Sequence, residues 1–303
     1  MARLEYIQNA LGDLIAGRTE GRQSAEIRIG LVGRGIGKSL TPIMHEQEGR
    51  RLGLRYRYDL VDFDALKLED RDLALVVRLL EAAGFRGLNV TFPFKQSVLA
   101  LLDELSDSAR AVGAVNTVVF TEGKRRGHNT DCFGFAESMR RGLSDVDLRR
   151  VVQIGAGGAG GAVAKALSDL GVRQLAIFDI DEDRAHRLAS NIASTTLSVT
   201  SHGSGALSTI LPNASGVVNA SPVGMDKLPG LPLDPNLLTS KQWVADIIYF
   251  PRETELIRTA RARGCAVLTG GGMAVFQALR AFELFSGMRP DSAEMSKTFL
   301  EYA

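Results

Sequence analysis

The sequence predicts a two-domain α/β protein with parallel sheets. Strand and helix patterns alternate from residue 27 almost to the end of the chain, which is typical of sheets built from crossover units. A Gly-rich turn joins a strand to a helix within residues 149–171 and is typical of a dinucleotide-binding domain. The length of 303 residues is enough for two domains, each with its own hydrophobic core.

Composition and charge exclude several classes of protein. With 36 basic and 35 acidic residues the formal net charge is +1, so no field of one sign recruits nucleic acid or an anionic membrane. The two cysteines, Cys132 and Cys265, exclude a disulfide framework and fit a reducing compartment. The four histidines are scattered and no Cys/His spacing is typical of a metal site, so no metal is expected.

The hydropathy pattern indicates neither a membrane span nor a signal peptide. No apolar run approaches the ~20 residues that a membrane span needs. Segment 1–17 has apolar residues at helical spacing, which predicts an amphipathic helix and not a signal peptide. We therefore expect a cytoplasmic monomer or homodimer that binds a small molecule and binds neither nucleic acid nor a membrane.

The N-terminal half alternates strands and helices up to a division near Gly127–Thr130. The predicted strands cover residues 27–33, 56–63, 87–92 and 114–120. The predicted helices cover residues 41–53, 73–85, about 95–105 and 128–143, and residues 123–127 are predicted as a turn.

The C-terminal half continues the alternation. The predicted strands lie at the start of 149–171 and at 174–181, 216–221, 243–249 and 265–270. The predicted helices follow the Gly-rich turn and cover 182–193, 253–264 and 271–287.

The strand at residues 87–92 carries polar side chains where a core strand would be apolar. Asn89 and Thr91 share one face of this strand because successive side chains alternate. Pro93 ends the pairing and Lys95 follows two residues later. Such an amide, hydroxyl and amine are suited to a polar ligand, although a lysine in this position is usually a solvated surface amine and Asn and Thr often form turns.

The Gly-rich turn has the pattern G-x-G-G-x-G, with glycines at positions 155, 157, 158 and 160. Glycines allow a tight turn and a close approach to a pyrophosphate, which then meets the free N–H groups of the helix. Asp179 ends the next strand, where a dinucleotide fold places the acid that accepts from the ribose hydroxyls. A carboxylate there repels a 2′-phosphate and favours NAD, whereas Arg184 could still meet a phosphate, so NADP remains possible.

Seven short segments of the chain form a recognisable series. NVTFPFK (89–95), GAVNT (113–117) and HNTDCFGF (128–135) match N-V-T-x-P-x-K, G-A-x-N-T and N-T-D-G-x-G-F, with Cys132 in place of the first Gly. IGKSLTP (36–42) is similar to I-x-H-S-x-S-P, with Lys38 and Thr41 as departures. NASPVGM (219–225), DIIYFPRETEL (246–256) and GGGMAVFQALRAFELFSG (270–287) complete the series. In types and order these segments resemble the shikimate dehydrogenase family.

This resemblance implies a fold and a division of labour. It implies an N-terminal α/β substrate domain, a Rossmann-type dinucleotide-binding domain and a last helix that returns to the first domain. The expected boundaries are 1–130 plus 271–303 for the substrate domain and 131–270 for the dinucleotide-binding domain.

The resemblance also implies the site residues. The catalytic pair would be Lys95 and Asp131. Substrate would be bound by Ser39, Thr41, Asn89, Thr91, Asn116, Tyr249 and Gln277. The cofactor would be bound by Gly155, Gly157, Gly158, Ala159, Gly160, Asp179, Arg184, Ala220, Ser221, Val223, Gly270 and Met273.

The implied chemistry is hydride transfer between the ring C3 hydroxyl carbon of quinate or shikimate and a nicotinamide. One proton then moves to or from the substrate oxygen, and Lys95 would move it as general acid/base, oriented by Asp131. A nearby carboxylate raises the pKa of a lysine and burial lowers it, so the sequence leaves the resting charge of Lys95 open.

The departures from the family pattern leave alternatives open. Lys38 and Thr41 are similar to the quinate/shikimate dehydrogenase branch, whose members often use NAD, although Thr41-Pro42 is also the ordinary pattern of an N-cap followed by proline at the first helical position. Together with Cys132 and Thr269 they keep an aminoshikimate-type or other shikimate-like dehydrogenase of specialised metabolism as an alternative. A non-catalytic NAD-binding sensor is the second alternative, and intact Lys95 and Asp131 argue against it.

Overall fold

The computed structural model describes residues 2–16 and 26–303. The chain divides into two compact units. Unit 1 comprises Met1–Thr130 and Ala278–Tyr302, and unit 2 comprises Asp131–Gln277.

The described residues form twelve strands in two sheets of six. In chain order they are β1 (Ile27–Gly33), β2 (Tyr56–Asp62), β3 (Gly87–Val90), β4 (Glu104–Leu105), β5 (Thr117–Thr121), β6 (Lys124–His128), β7 (Arg150–Ile154), β8 (Gln174–Phe178), β9 (Ser198–His202), β10 (Gly216–Asn219), β11 (Trp243–Asp246) and β12 (Ala266–Leu268).

The α-helices of the described residues alternate with these strands. In chain order they are α1 (Ala2–Ala10), α2 (Gly12–Ile15), α3 (Thr41–Arg51), α4 (Leu73–Ala82), α5 (Asp107–Val112), α6 (Thr130–Gly142), α7 (Gly158–Asp169), α8 (Glu182–Ile192), α9 (Leu207–Ile210), α10 (Glu255–Ala262), α11 (Gly271–Ser286) and α12 (Ser292–Tyr302). Short 3₁₀ turns lie at Asp70–Asp72, Ser97–Leu101, Ser204–Ala206, Leu211–Asn213 and Pro235–Leu237.

The sheet of unit 1 has the strand order β2-β1-β3-β5-β6-β4. Strands β2, β1 and β3 are parallel, whereas β5 is antiparallel to both β3 and β6. The connection between β5 and β6 is only Glu122 and Gly123, both at positive φ (51° and 73°), which is the backbone of a tight hairpin and admits only antiparallel pairing. The α/β fold class is confirmed, with this hairpin as the antiparallel part of an otherwise parallel-rich sheet.

The sheet of unit 2 is parallel throughout, with the order β12-β11-β10-β7-β8-β9. The chain runs outward from β7 to β8 and β9, and then returns to the other side of β7 at β10. This reversal is the topological switch point at which doubly wound sheets bind nucleotides. The predicted Rossmann-type fold is confirmed.

Each unit has its own hydrophobic core. In unit 1 the buried residues of α1, α4 and β3 form one cluster, which includes Ile7, Leu11, Val77 and Leu88, and residues of α11 such as Phe285 pack on the other face of the sheet. In unit 2 the cluster is built on β7, β10, β11 and α10.

Two local predictions are wrong. The predicted helix at 95–105 is a 3₁₀ turn at Ser97–Leu101 followed by β4, because residues 103–105 pair with the strand that contains Arg125. The predicted turn at 123–127 is mostly β6: only Gly123 belongs to the turn, and Glu104 forms ion pairs with Lys124 and Arg126 at 2.6 and 2.5 Å. These carboxylate contacts offset the repulsion that makes a basic run a poor strand by itself.

Other elements were not predicted. They are β9, α5, α9 and α12. The predicted helix at 1–17 is observed as α1 and α2 on either side of Leu11, and Met1 and Gly17 lie outside the described residues.

The described residues lack two kinds of feature. Within 2–16 and 26–303 no helix is long and apolar enough to cross a membrane. The same residues contain no group of three or more His, Cys, Asp or Glu side chains placed to hold a metal ion.

Candidate active site

The polar strand of unit 1 is β3, and its side chains are buried. Asn89 is only 4% exposed, in register with Leu31 of β1 and Thr117 of β5. Thr91 follows the last strand residue and donates its N–H to the carbonyl of Val32 at 2.9 Å. The carboxyl ends of β1 and β3 and the start of β5 therefore lie side by side.

The amide of Asn89 is held by three protein groups. Its Nδ2 donates to Thr117 Oγ1 at 2.9 Å and to the carbonyl of Asn116 at 3.2 Å. Its Oδ1 accepts from the buried hydroxyl of Tyr58 at 2.7 Å. Both N–H bonds are thus used, and one lone pair of Oδ1 remains. Asn89 is suited to accept a hydrogen bond from a ligand hydroxyl and is not suited to donate one.

Asn116 links the start of β5 to the start of α6. Its Oδ1 accepts from the backbone N–H of Thr130 at 2.8 Å and from the Thr130 hydroxyl at 3.2 Å, while its Nδ2 donates to Thr130 Oγ1 at 2.9 Å. Burial to 4% exposure makes these bonds costly to break. In this arrangement Asn116 fixes the residue that precedes Asp131.

Ser39 and Thr41 lie where the loop after β1 enters α3. Helix α3 begins at Thr41 with Leu40 as its N-cap, and the cap has no side-chain hydrogen bond. The Oγ of Ser39 accepts from the Thr41 N–H at 3.3 Å, which leaves the Ser39 hydroxyl proton to donate. A hydroxyl donor at the positive end of a helix is a favourable place for a carboxylate. Thr41 is the first helical residue and not the N-cap.

Lys95 follows a turn that closes directly after β3. Phe94 donates its N–H to the carbonyl of Thr91 at 2.8 Å, and the carbonyl of Lys95 accepts from the Val115 N–H at 2.8 Å. The side chain is half-buried. The turn therefore fixes the Lys95 backbone beside the segment that carries Asn116.

Asp131, Tyr249 and Gln277 belong to unit 2. Asp131 lies in the first turn of α6 and is 6% exposed. Tyr249 is 37% exposed; partial desolvation raises the pKa of its hydroxyl, and the negative charge of Asp131 raises that pKa further. Gln277 of α11 packs against Gly134 of α6, because a Cβ added at Gly134 would lie 2.8 Å from the backbone nitrogen of Gln277. The side-chain amide of Gln277 donates to the carbonyl of Ala274 at 3.0 Å.

The Gly-rich turn lies at the carboxyl end of β7, the first strand of the switch point. Gly155 has φ of 104°, and a Cβ there would lie 2.6 Å from the backbone of Ala220. A Cβ on Gly160 would lie 2.3 Å from the carbonyl oxygen of Gly155. Gly157 is the N-cap of α7, without a side-chain cap bond, and a Cβ there would meet nothing within 4 Å. The first and last glycines permit the turn. Gly157 leaves open space beside the N-terminus of α7, whose first residues are Gly158 and Ala159.

Asp179 follows β8 and is tied to the turn. Its Oδ2 accepts from the Ala156 N–H at 2.7 Å and its Oδ1 accepts from the Asp181 N–H at 2.9 Å. Arg184 lies 3.6 Å from Asp179 and 3.2 Å from Asp181. The guanidinium of Arg184 is thus shared between two carboxylates.

The remaining predicted cofactor residues also follow strands of unit 2. Asn219 organises the loop after β10: its Oδ1 accepts from the Ser221 hydroxyl at 2.7 Å and its Nδ2 donates to the carbonyl of Val223 at 3.0 Å, and Ala220 is buried. Gly270 follows β12, and a Cβ there would lie 2.3 Å from the carbonyl oxygen of Ile247. Met273 is buried in the first turn of α11. All of these residues lie at carboxyl ends of parallel strands, where doubly wound sheets bind ligands.

These features fit a dinucleotide. An uncapped helix N-terminus with open space at Gly157 suits a diphosphate. A buried carboxylate at the end of β8 suits ribose hydroxyls, because it can accept from both.

Several residues around the site were missed by sequence reasoning. Tyr58 and Thr117 hold the Asn89 amide, and Thr130 holds Asn116. The alternation of YRYDLVD gave a signal, since it turns Tyr56 and Tyr58 to one face of β2. The register that places Tyr58 near Asn89 depends on β1, which lies between the two strands, and has no local signature.

Comparisons with known proteins agree with this geometry. Residues 31–118 match the family model described as "Shikimate dehydrogenase substrate binding domain". The "Shikimate dehydrogenase (NADP(+))" of Streptomyces avermitilis is 49% identical over 284 residues, which cover 91% of this chain and 95% of the relative. The "Quinate/shikimate dehydrogenase (NAD(+))" of Corynebacterium glutamicum is 45% identical over 277 residues, which cover 90% of this chain and 98% of the relative.

Solved structures give the same result. The quinate dehydrogenase from Corynebacterium glutamicum in complex with NAD superposes with a TM-score of 0.87 at 44% identity, covering 91% of this chain and 99% of that one. The shikimate 5-dehydrogenase from Listeria monocytogenes in complex with shikimate and NAD has a TM-score of 0.81 at 30% identity, covering 93% and 99%. Identity, coverage and fold together confirm the resemblance, and the chain belongs to the shikimate dehydrogenase family.

Proposed function

We propose that this protein is an NAD(P)-dependent dehydrogenase that reversibly oxidises the ring C3 hydroxyl of quinate or shikimate to 3-dehydroquinate or 3-dehydroshikimate. The observation that carries the proposal is the pair of strand-end arrangements: a buried amide and hydroxyl cluster next to Lys95 in unit 1, and a Gly-rich dinucleotide turn with Asp179 in unit 2. Relatives named for both acids, at 45–49% identity, support the substrate class.

In the proposed complex the protein recognises the substituents of the quinate or shikimate ring through hydrogen bonds. Ser39 and Thr41, with Tyr249, bind the carboxylate. Asn89, Thr91, Asn116 and Gln277 bind ring hydroxyls, and Asn89 accepts, because its N–H bonds are already used. A site of this kind rejects an analogue that lacks a hydroxyl, since a buried partner is then left without a hydrogen bond.

Lys95 moves the proton in this proposal. During oxidation its amine takes the proton from the C3 hydroxyl, and during reduction its ammonium gives the proton to the carbonyl oxygen. Asp131 orients Lys95 and binds a neighbouring ring hydroxyl. When bound, the nicotinamide accepts or supplies the hydride.

We propose NAD as the preferred cofactor. Asp179 presents a negative charge at the end of β8, where a 2′-phosphate would be repelled. Arg184, which would otherwise attract that phosphate, is paired with both Asp179 and Asp181. Relatives named for NADP and for NAD are similarly identical to this chain, so overall similarity does not favour either cofactor. The proposal of NAD therefore rests on Asp179, Asp181 and Arg184.

The proposed domains are 1–130 plus 271–303 for substrate and 131–270 for the dinucleotide. The residues proposed to bind the dinucleotide are Gly155, Gly157, Gly158, Ala159, Gly160, Asp179, Arg184, Ala220, Ser221, Val223, Gly270 and Met273. A cytoplasmic location and a monomer or homodimer complete the proposal.

One alternative within the family is favoured by specific residues. Lys38, Thr41, Cys132 and Thr269 depart from the usual family pattern and would fit an aminoshikimate-type dehydrogenase with a changed substrate. A sensor without turnover is the remaining alternative.

A substrate and cofactor panel tests the proposal. The purified protein is assayed with quinate, shikimate and their 3-amino analogues against NAD and NADP, and kcat/KM is compared. We expect the highest kcat/KM for quinate or shikimate with NAD. Turnover of the amino analogues alone would replace the proposed substrate, and binding of NAD without turnover of any acid would favour the sensor.

A further inference from the structure

The loop that carries Ser39 is fastened to the protein by a residue outside the predicted site. The Ser39 loop (residues 34–40) joins β1 to α3. Its first side chain, Arg34, has a guanidinium with four hydrogen bonds to a neighbouring segment, the 62–72 segment between β2 and α4.

The Arg34 side chain is only 25% exposed, and all three guanidinium nitrogens donate hydrogen bonds. Arg34 Nη1 donates to Asp64 at 2.5 Å, and Nε and Nη2 donate to Asp70 at 2.9 and 2.7 Å. Nη2 also donates to the backbone carbonyl of Leu68 at 2.9 Å. The planar guanidinium matches several acceptors at fixed angles, which a lysine ammonium does not do.

The same segment also binds the loop backbone. Asp62, the last residue of β2, accepts from the N–H groups of Gly35 and Ile36 at 3.0 and 2.9 Å. The carbonyl of Ile36 in turn accepts from the Ser39 N–H at 2.9 Å. A continuous chain of hydrogen bonds therefore runs from the 62–72 segment to the residue whose hydroxyl is proposed to bind the carboxylate.

The N-terminal helix holds the 62–72 segment from its other end. Tyr6 donates its hydroxyl to the carbonyl of Lys67 at 3.2 Å, and Arg3 Nε donates to Asp72 at 3.0 Å. Ile7 and Leu11 are fully buried in the cluster that contains Leu68. This helix precedes the region matched by the family model, which begins at residue 31.

We propose that Arg34 is a positioning residue for substrate: it fastens the Ser39 loop to the 62–72 segment, which α1 braces, and so holds the Ser39 hydroxyl where the carboxylate binds. The role of Ser39 in this inference rests on the proposed function. The fastening itself does not, because it is made by bonds within unit 1.

Three variants of the full-length protein test the inference. Arg34→Met keeps side-chain length and removes all four bonds. Asp70→Asn keeps the shape of the acceptor and weakens one partner. Arg71→Met is the matched control, because Arg71 is 74% exposed and pairs with Glu69 of its own turn at 2.8 Å.

Two readouts separate positioning from general stability. Steady-state kinetics give KM and kcat for the ring acid and KM for NAD. Amide hydrogen–deuterium exchange, measured by mass spectrometry, reports the opening of residues 35–39 without any need for activity.

We expect Arg34→Met to raise the KM for the acid about tenfold with kcat and the KM for NAD nearly unchanged, and to speed exchange at residues 35–39. Asp70→Asn should do the same to a smaller extent, and Arg71→Met should change neither. Faster exchange with an unchanged KM for the acid would overturn the positioning role, and unchanged exchange would overturn the fastening. A wild type without turnover would contradict the proposed function, and the exchange rates would still decide whether Arg34 fastens the loop.

Discussion

The strand ends of the two units present polar groups in opposite ways. In unit 1 the end of β3 and the start of β5 carry side-chain amides and hydroxyls, and Asn89 is already bound by Tyr58, Thr117 and the backbone of Asn116. In unit 2 the end of β7 has almost no side chains, and Gly157 leaves open space at a helix N-terminus. The first arrangement is suited to read the positions of hydroxyl groups, and the second to bind a charged group through backbone N–H groups.

This difference has a consequence for substitutions. A preorganised side-chain network determines which ligand hydroxyls find a partner, so changes in unit 1 should alter selectivity and chemistry. A backbone cradle has no side chain to exchange, so changes in unit 2 should act through close contact or charge.

Lys95→Ala should give the largest effect. If Lys95 moves the proton, kcat should fall by about 10²–10⁴, the usual contribution of a positioned acid or base. KM should change far less, because the carboxylate and hydroxyl contacts remain, and this pattern marks an interaction made mainly in the transition state. Steady-state kinetics with quinate or shikimate measure both constants.

Two further substitutions serve as controls for Lys95. Lys95→Met keeps the length without the charge, and Lys95→Arg keeps the charge but does not release a proton near neutrality; both should be as poor as Lys95→Ala. A variant that keeps most of its kcat while KM rises steeply would make Lys95 a substrate clamp.

The glycines of the turn offer a matched pair of substitutions in unit 2. A Cβ at position 160 would lie 2.3 Å from the Gly155 carbonyl oxygen, whereas a Cβ at position 157 would meet nothing within 4 Å. Gly160→Ala should therefore lower the free energy of unfolding by about 1–3 kcal/mol, the usual cost of overpacking. Gly157→Ala should leave that free energy unchanged and weaken NAD about tenfold, or ~1.4 kcal/mol.

Urea unfolding and titration calorimetry with NAD measure these two effects. Equal loss of stability in both variants would contradict the assignment of Gly157 to ligand approach. Unchanged NAD affinity in Gly157→Ala would contradict the proposal that the diphosphate binds at the N-terminus of this helix.

Asp179→Asn should shift cofactor choice. The amide keeps an acceptor for the Asp181 N–H, loses the acceptor for the Ala156 N–H, and loses the charge that repels a 2′-phosphate and that pairs with Arg184. The ratio of kcat/KM for NADP to that for NAD should rise about tenfold, or ~1.4 kcal/mol. Asp183→Asn, on the exposed first turn of α8, is the control, and a wild type that prefers NADP tenfold would overturn the proposed role of Asp179.

Tyr58→Phe should give the smallest effect and the sharpest test of the unit 1 network. Loss of the 2.7 Å bond to Asn89 Oδ1 should cost about 1 kcal/mol of stability and lower kcat/KM for the ring acid several-fold. Tyr56→Phe is a matched control on the same strand, because its hydroxyl binds His45 at 3.0 Å and not Asn89. The control should lose similar stability and keep kcat/KM, and equal kinetic loss in both would make the effect a general one.

Local patterns predicted the parts of the fold that are locally determined. The Gly-rich turn and its helix follow from residues that are neighbours in the sequence, and β3 with its polar face follows from simple alternation. The same rules failed where pairing is long-range. The basic segment β6 forms a strand because it pairs with β5 and because Glu104 forms ion pairs with its basic side chains. Tertiary contact outweighs propensity at such places.

The candidate site shows the same limit. Motifs could propose its residues, but could not predict the hydrogen-bonded state of each side chain. Asn89 was expected to bind a ring hydroxyl, yet only the register of β2, β1 and β3 reveals that Tyr58 takes one of its lone pairs. Arg34 had no motif at all, because its acceptors lie 30 or more residues away in sequence.

Transfer of a deuterium label tests the central claim most directly. Quinate or shikimate labelled with deuterium at ring C3 is turned over with NAD, and the reduced cofactor is analysed by mass spectrometry. Hydride transfer from C3 predicts that the reduced cofactor carries one deuterium and that the product carries none at C3. Deuterium that stays in the ring product, or that passes to water, would contradict the proposed reaction.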